Sequence, residues 1–201
     1  MIMAAKKPLL ISGGGVRYSE AGEAVMEFCK EFNIPVSQTQ AGHSALPDSF
    51  ELSVGGVGVT GGLAANLLAK DADLVIGIGT RFNDFVTGSK WVLFRNPDIK
   101  VLAINTSEFH AEKVDAVRCV GDAKVTVEEL TKRLKEKGYK SGYTTEIQEI
   151  KCALIRSSLL TYTGRASKSV FMILKFSSIS HRCLLIFMIS RISLSRFVIT
   201  A

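Results

Sequence analysis

The sequence predicts an α/β fold: an open, doubly wound parallel sheet in a three-layer α/β/α, Rossmann-like arrangement. Short apolar runs without polar alternation, such as PLLIS at 8–12 and DLVIGI at 73–78, are typical of strands buried on both faces. Segments of helical periodicity stand between these runs. Because strands and helices alternate along the chain, we expect right-handed crossovers between parallel strands.

The elements are predicted from local patterns in chain order. Ser19 is expected to cap the first helix, because Glu20 and Glu23 then suit its positive end. Gly138 is expected to close the last helix. The predicted strands are 8–12, 34–38, 73–78, 100–105 and 117–120, and the predicted helices are 19–32, 62–70 and 122–137, with one or two helical turns at 107–113.

The charge distribution divides the chain into two parts. Residues 1–150 carry 17 Lys and Arg against 19 Asp and Glu, a balance of −2, whereas residues 151–201 carry 8 basic residues and no acid, a balance of +8. The net charge of +6 therefore belongs to the tail, and the domain lacks the basic surplus typical of nucleic-acid binding. We predict one domain over 1–150 and a separate basic tail over 151–201.

Two interpretations of the tail stay open. Its apolar residues cluster without a period of 2 or 3.6, and Arg182, Arg191 and Arg196 interrupt them. We favour a segment translated out of frame or through an intron, which would be poorly ordered or prone to aggregate. The alternative is a basic amphipathic helix at a membrane surface.

Cysteine spacing and the N-terminus predict a cytoplasmic protein without a metal site. None of the four cysteines forms a C-x-x-C pair, and no histidine pair completes a zinc pattern. The short apolar run in MIMAAKKPLLISGGG is typical of a strand and not of a signal peptide. No run reaches the roughly 18 apolar residues of a membrane span, so no membrane partner is expected.

The stretch GGVGVTGG at 55–62 contains the spacing G-x-G-x-x-G of a dinucleotide-binding turn. That motif requires a strand directly before it, and here FELSV at 50–54 is only a weak strand candidate. Asp71 and Asp73 lie near the spacing of a ribose-binding acid, but they lead into the next strand. We therefore favour glycines that allow close packing, with anion binding at the helix start as the milder alternative.

Two other glycine turns follow predicted strands directly. Gly13, Gly14 and Gly15 follow the first strand, and Gly79-Thr80-Arg81 follows the central one. Open α/β sheets bind their ligands at these carboxyl ends of strands. Arg81 is a candidate for pairing with a phosphate, and the alternative is a surface ion pair with Asp84.

A longer stretch resembles a known family. LSVGGVGVTGGLAANLLAKDADLVIGIGTRFNDFVTGSKW is similar to the middle domain of thiamine-diphosphate-dependent enzymes, including acetolactate synthase large subunits. KKPLLISGGGVRYSEA and IPVSQTQAGHSALP make the chain more similar to the trihydroxycyclohexane-dione hydrolases of myo-inositol breakdown. The resemblance covers about residues 6 to 155 and carries several motifs in order.

The resemblance implies a three-domain enzyme that works as a homo-oligomer, a dimer or a tetramer. Thiamine diphosphate and Mg²⁺ would lie between the two outer domains and serve hydrolysis of a carbon–carbon bond in a cyclic diketone. Some relatives carry FAD on the middle domain. The resemblance then implies these cofactor-binding candidates: Gly13, Gly14, Gly15, Gly79, Thr80, Arg81 and Asn105.

The chain also departs from the family pattern. It has no counterpart of the activating Glu of the first domain and no Gly-Asp-Gly…Asn motif for Mg²⁺, since Gly121-Asp122-Ala123 shares only two letters and opens a helix. Asn105 stands where flavin carriers tend to have an acid, which weakens the case for FAD. We therefore expect a middle-domain fragment without catalytic or metal-binding residues, inactive alone. The alternatives are a nucleotide-binding module for FAD or ADP and a subunit-assembly module.

Overall fold

The computed structural model describes residues 1–143 and 147–150, and the predictions made for the tail lie outside these residues. Within these residues, six parallel strands form one sheet in the order β3-β2-β1-β4-β5-β6. The strands are β1 (Pro8–Ser12), β2 (Val36–Gln38), β3 (Ser53–Gly56), β4 (Leu74–Ile78), β5 (Lys100–Asn105) and β6 (Val117–Val120). The helices are α1 (Gly14–Tyr18), α2 (Gly22–Phe32), α3 (Leu63–Asp71), α4 (Asp84–Thr87), α5 (Glu108–Ala111) and α6 (Ala123–Glu136).

Helices cover both faces of the sheet, which confirms the predicted three-layer α/β/α class. Every residue of β1 and β4 is buried, because both strands lie in the middle of the sheet. Successive side chains of β1 point to opposite faces. Leu10 packs in the core that α2 and α6 cover, whereas Leu9 and Ile11 pack in the core that α3 covers.

One strand was underestimated from the sequence. The weak candidate at 50–54 overlaps a real strand, β3, only at residues 53 and 54, and β3 pairs in parallel with β2 through Val36 and Ser53. A strand therefore does lead into GGVGVTGG, and the expectation that none does is wrong. The signal was weak because β3 is a short edge strand that ends in two glycines, which have low β-propensity.

The first predicted helix is in fact two helices. Ser19 follows α1 instead of capping a helix start, and Glu20 takes a left-handed conformation with φ of 51°. The chain turns there, and α2 begins at Gly22 with Ala21 at its N-cap. A periodic apolar pattern crosses such a turn unchanged, so the sequence alone does not show it.

The strand order locates a switch point between β1 and β4. From β1 the chain proceeds outward through β2 to β3, and from β4 it proceeds outward on the other side through β5 to β6. At the carboxyl ends of β1 and β4 the connections therefore diverge and leave a crevice. Within the described residues, no helix has both the length and the apolarity that a membrane crossing requires.

Candidate functional site: a cleft at the switch point

A cleft of about 790 Å³ opens at the carboxyl ends of β1, β4 and β5. Six of the seven candidate residues predicted from the sequence line it: Gly14, Gly15, Gly79, Thr80, Arg81 and Asn105. Gly13 does not line the cleft and is buried beneath it. Other residues from outside that prediction also line the wall, among them Tyr18, Phe85 and His110.

Two glycine turns pack backbone against backbone beneath the cleft. Gly79 has φ of 60°, and a Cβ there would collide with Cα of Gly15. A Cβ on Gly13 would likewise collide with the carbonyl group of Gly79. The amide of Gly15 donates to the oxygen of Gly79 at 3.0 Å, and the amide of Gly13 donates to Ile78 at 2.8 Å. The absence of side chains at these glycines lets the two turns pack together, and the glycine amides are used in hydrogen bonds within the protein.

Asn105 joins two of the loops that line the cleft. Its Nδ2 donates to the carbonyl oxygen of Thr80 at 3.0 Å, and its Oδ1 accepts from the amide of Ser107 at 3.0 Å. The amide group therefore serves as a clamp between the loops that follow β4 and β5. Its acceptor is already used by the protein, which does not suit the ribose contact that an acid would make in a flavin site.

The backbone amides of Gly14, Thr80 and Arg81 at the cleft remain available for a ligand. Within the described residues, no acceptor lies at hydrogen-bond distance from the amides of Gly14, Thr80 and Arg81. Arg81 is exposed and forms no ion pair with Asp84 or another described carboxylate. These donors, with one unpaired guanidinium group, make a wall that favours an anionic ligand.

His110 adds an imidazole ring to the same wall. Its Nδ1 is buried without a hydrogen-bond partner among the described residues, and its ring meets Phe109 edge to face, with centroids 5.2 Å apart. Burial lowers the pKa of His110, and the positive charges of Lys113 and Arg81 lower it further. The imidazole is therefore neutral near pH 7 and able to accept or donate one hydrogen bond.

The stretch GGVGVTGG does not line the cleft, and five of its amides are hydrogen-bonded within the protein. The amides of Val57, Gly58, Val59, Gly61 and Gly62 each donate within the protein, to Gln38, Asn66, Phe85, Gly58 and Gly56 respectively. The Asn66 side chain from α3 also returns a hydrogen bond to the oxygen of Gly58 at 3.0 Å. A phosphate would therefore find these donors occupied.

The topology gives a further reason against a dinucleotide at this loop. The motif requires two neighbouring strands, whereas β3 and β4 are separated by β2 and β1. Asp73, considered for the ribose, lies at the amino end of β4 and accepts from the amides of Lys6 and Lys7 at 2.7 and 2.8 Å. The packing interpretation therefore holds on different grounds from those that the sequence supplied.

The described residues do not fit thiamine diphosphate with Mg²⁺. They contain no cluster of three or more His, Cys, Asp or Glu side chains that could hold a metal ion. Asp122, in the stretch that shares two letters with the family's metal motif, caps α6 by accepting from the amides of Lys124 and Val125 at 2.9 and 3.2 Å. Its carboxylate is thus part of a helix start.

Comparison with known proteins assigns the family. A model described as "Thiamine pyrophosphate enzyme, central domain" matches residues 1–130. The chain belongs to the thiamine pyrophosphate enzyme family. The matched part is the central domain.

Several curated relatives of this central domain are named 3D-(3,5/4)-trihydroxycyclohexane-1,2-dione hydrolase. The chain is 58% identical to that of Clostridium perfringens strain ATCC 13124 over 153 residues, 76% of this chain and 24% of the relative. It is 55% identical to that of Clostridium botulinum strain Alaska E43, covering 74% and 23%. For Bacillus cereus strain AH820 the identity is 53%, covering 76% and 24%. The chain spans about a quarter of the length of these relatives.

A solved structure supports the fold. An enzyme of Mycobacterium smegmatis assigned as thiamin diphosphate-dependent superposes with a TM-score of 0.52 at 24% identity. The match covers 65% of this chain and 25% of that one. At this identity the likeness supports the parallel α/β architecture and nothing finer.

Proposed function

We propose that this chain supplies the central domain of a thiamine-diphosphate-dependent trihydroxycyclohexane-dione hydrolase, which opens a cyclic diketone by hydrolysing a carbon–carbon bond in inositol breakdown. The observation that carries the proposal is the 58% identity to the Clostridium perfringens hydrolase over 76% of the chain. In this proposal thiamine diphosphate and Mg²⁺ are held by the flanking domains. The chain contributes no catalytic residue and is inactive alone.

A chimera tests this proposal. Residues 1–150 replace the matching segment of the Clostridium perfringens hydrolase, and ring opening is measured with thiamine diphosphate and Mg²⁺ present. We expect the chimera to keep the activity, whereas a matched chimera carrying the central domain of an acetolactate synthase loses it. An assembled chimera with this chain's domain that does not open the ring would contradict the proposal.

The isolated chain provides the complementary measurement. Titration calorimetry with thiamine diphosphate, with and without Mg²⁺, is expected to show no binding, since the described residues offer no metal cluster. Binding that depends on Mg²⁺ would show that the cofactor site lies on this chain and that the assignment of the domain is wrong.

A nucleotide such as FAD or ADP in the cleft is a second candidate function. The free amides of Gly14, Thr80 and Arg81 support it, as does the exposed Arg81 guanidinium. Tyr18 and Phe85 are 90% and 60% exposed and line the same cleft, where an aromatic ring could stack on them.

Calorimetry with FAD, NAD and ADP on the full chain tests the second candidate. We expect Arg81→Ala to weaken ADP binding by about tenfold or more, the usual scale for a lost charge-assisted contact. Arg95→Ala is the matched control, because Arg95 stacks on Trp91 at 4.6 Å and does not line the cleft. The absence of heat at millimolar ligand would eliminate this candidate.

The assembly and location of the chain are also part of the proposal. We propose that the full-length protein is a homo-oligomer, a dimer or a tetramer, in the cytoplasm, without a nucleic-acid or membrane partner. Cys29 and Cys119 are both free thiols, which supports a reducing compartment. Light scattering on the full-length enzyme tests the oligomeric state, and cell fractionation tests the location.

A further inference from the structure

Helix α3 presents two leucines to solvent, and its only charged residues are Lys70 and Asp71 in its last turn. Leu63 and Leu67 are 62% and 39% exposed and lie one turn apart on the same side of the helix. No charged side chain occurs between residues 52 and 69. An outer helix face that stays in water normally carries charged residues, so this stretch needs a separate explanation.

Two more exposed apolar side chains are held at the start of this helix. Val59 and Phe85 are 63% and 60% exposed, and the amide of Val59 donates to the oxygen of Phe85 at 2.9 Å. Asn66 of α3 fixes the same turn through both its hydrogen bonds to Gly58. The backbone is thus anchored while the side chains point outward. We call Val59, Leu63, Leu67 and Phe85 the α3 face.

The opposite side of the sheet has a different surface. Seven of the 14 residues of α6 are charged, and Lys135 pairs with Glu27 of α2 at 3.1 Å. Arg133 pairs with Glu129 along α6 at 2.7 Å. Val125 is as exposed as Val59, at 65%, but stands among these charges. The α6 surface is therefore suited to water, and the α3 face is suited to contact with another protein surface.

We propose that the α3 face is the docking surface for a flanking domain of the full-length enzyme. This inference rests on the proposed function. The chain covers only 24% of the Clostridium perfringens hydrolase, so about three quarters of such an enzyme is available to cover this face. The chemistry that fits is an apolar polypeptide surface without charges, because a charge facing these four side chains would lose its hydration without a partner.

The test compares Val59→Glu with the matched control Val125→Glu in the chimera described above. Light scattering gives the assembled fraction, and ring opening gives the activity. Val59→Glu is expected to lower both at least about tenfold, because it buries a charge at the contact. Val125→Glu is expected to leave both unchanged. In the isolated full chain, both variants are expected to keep the wild-type melting temperature.

The outcomes separate this inference from the proposed function. An inactive wild-type chimera that assembles counts against the proposed function alone. An active chimera in which the two Glu variants behave alike overturns the docking surface. The docking surface is also overturned if Val59→Glu unfolds the isolated chain. It is overturned as well if the isolated chain dimerises through Val59, since the occupant would then be a second copy. The same two Glu substitutions can be made at the aligned positions of the Clostridium perfringens hydrolase itself. There the comparison does not depend on the folding of a chimera.

Discussion

The molecule has two glycine-rich regions that look alike in sequence and differ in structure. The loop between β3 and α3 has the dinucleotide spacing, yet five of its amides are hydrogen-bonded within the protein. The turns after β1 and β4 lack that spacing, yet they border the cleft and leave the amides of Gly14, Thr80 and Arg81 free. The comparison teaches that the capacity to bind a ligand depends on which donors the fold leaves unpaired, and not on the spacing of glycines.

The largest effect is expected from Gly58→Val, which tests the packing role of the β3–α3 loop. Gly58 has φ of 108°, and a Cβ would collide with the oxygen of Phe85, so we expect a loss of about 4 kcal/mol in the free energy of unfolding. Gly62→Val is the control, because nothing lies within 4 Å of its Cβ position. Urea unfolding measures both. A stable Gly58→Val chain that has only lost nucleotide binding would contradict a packing role.

Gly79→Ala examines the other glycine region. The left-handed φ of 60° and the collision with Gly15 predict a loss of about 3 kcal/mol. Gly14→Ala should cost less than about 1 kcal/mol, because its nearest neighbour, the oxygen of Ala41, lies 3.3 Å from the Cβ position. Thermal and urea melts of the two variants give the comparison. Equal losses would mean that the two turns are not packed as described.

A smaller effect is expected from Asn105→Ala. The variant removes the two hydrogen bonds that link Thr80 and Ser107, so we expect a loss of about 1–2 kcal/mol and faster amide exchange at Ser107. Asn96→Ala is a control at another loop, where the side chain bridges to Ala72 at 3.2 Å. Unchanged exchange at Ser107 in Asn105→Ala would show that the side chain is not a clamp.

The smallest effect concerns the pH dependence at the rim of the cleft. The Ser19 hydroxyl, with the amides of Val125, Lys124 and Ala123, lowers the pKa of Asp122 below its usual value. A lowered folded-state pKa gives stability that is present above the unfolded pKa and is lost as pH falls through the folded pKa. Asp122→Asn should therefore flatten the decline of the melting temperature below about pH 4. An identical acid decline in both proteins would contradict this role.

The sequence predicted much of the fold because parallel strands in the sheet centre carry strong local signals. The strands at 100–105 and 117–120 have the predicted bounds. It underestimated β3, whose stability comes from pairing with β2, and it missed the turn at Glu20, which a helical period does not reveal.

The location of the site was predictable from the sequence, but which of its backbone amides are free to donate hydrogen bonds was not. Strand ends and glycines indicated Gly14, Thr80 and Arg81, which line the cleft with free amides. The same reasoning included Gly13, whose amide is used by Ile78, because hydrogen-bond partners are set by the packed structure. Tyr18, Phe85 and His110 gave no signal in the sequence, since each belongs to a separate segment that only the fold brings to the cleft.

Amide hydrogen exchange of the full chain, followed residue by residue by NMR, tests the comparison most directly. The account predicts that the amides of Gly58, Val59 and Gly62 exchange slowly, because each is hydrogen-bonded within the domain. The amides of Gly14 and Arg81 should exchange rapidly, since they have no acceptor among the described residues. Rapid exchange in the β3–α3 loop with protection at Gly14 and Arg81 would contradict the account.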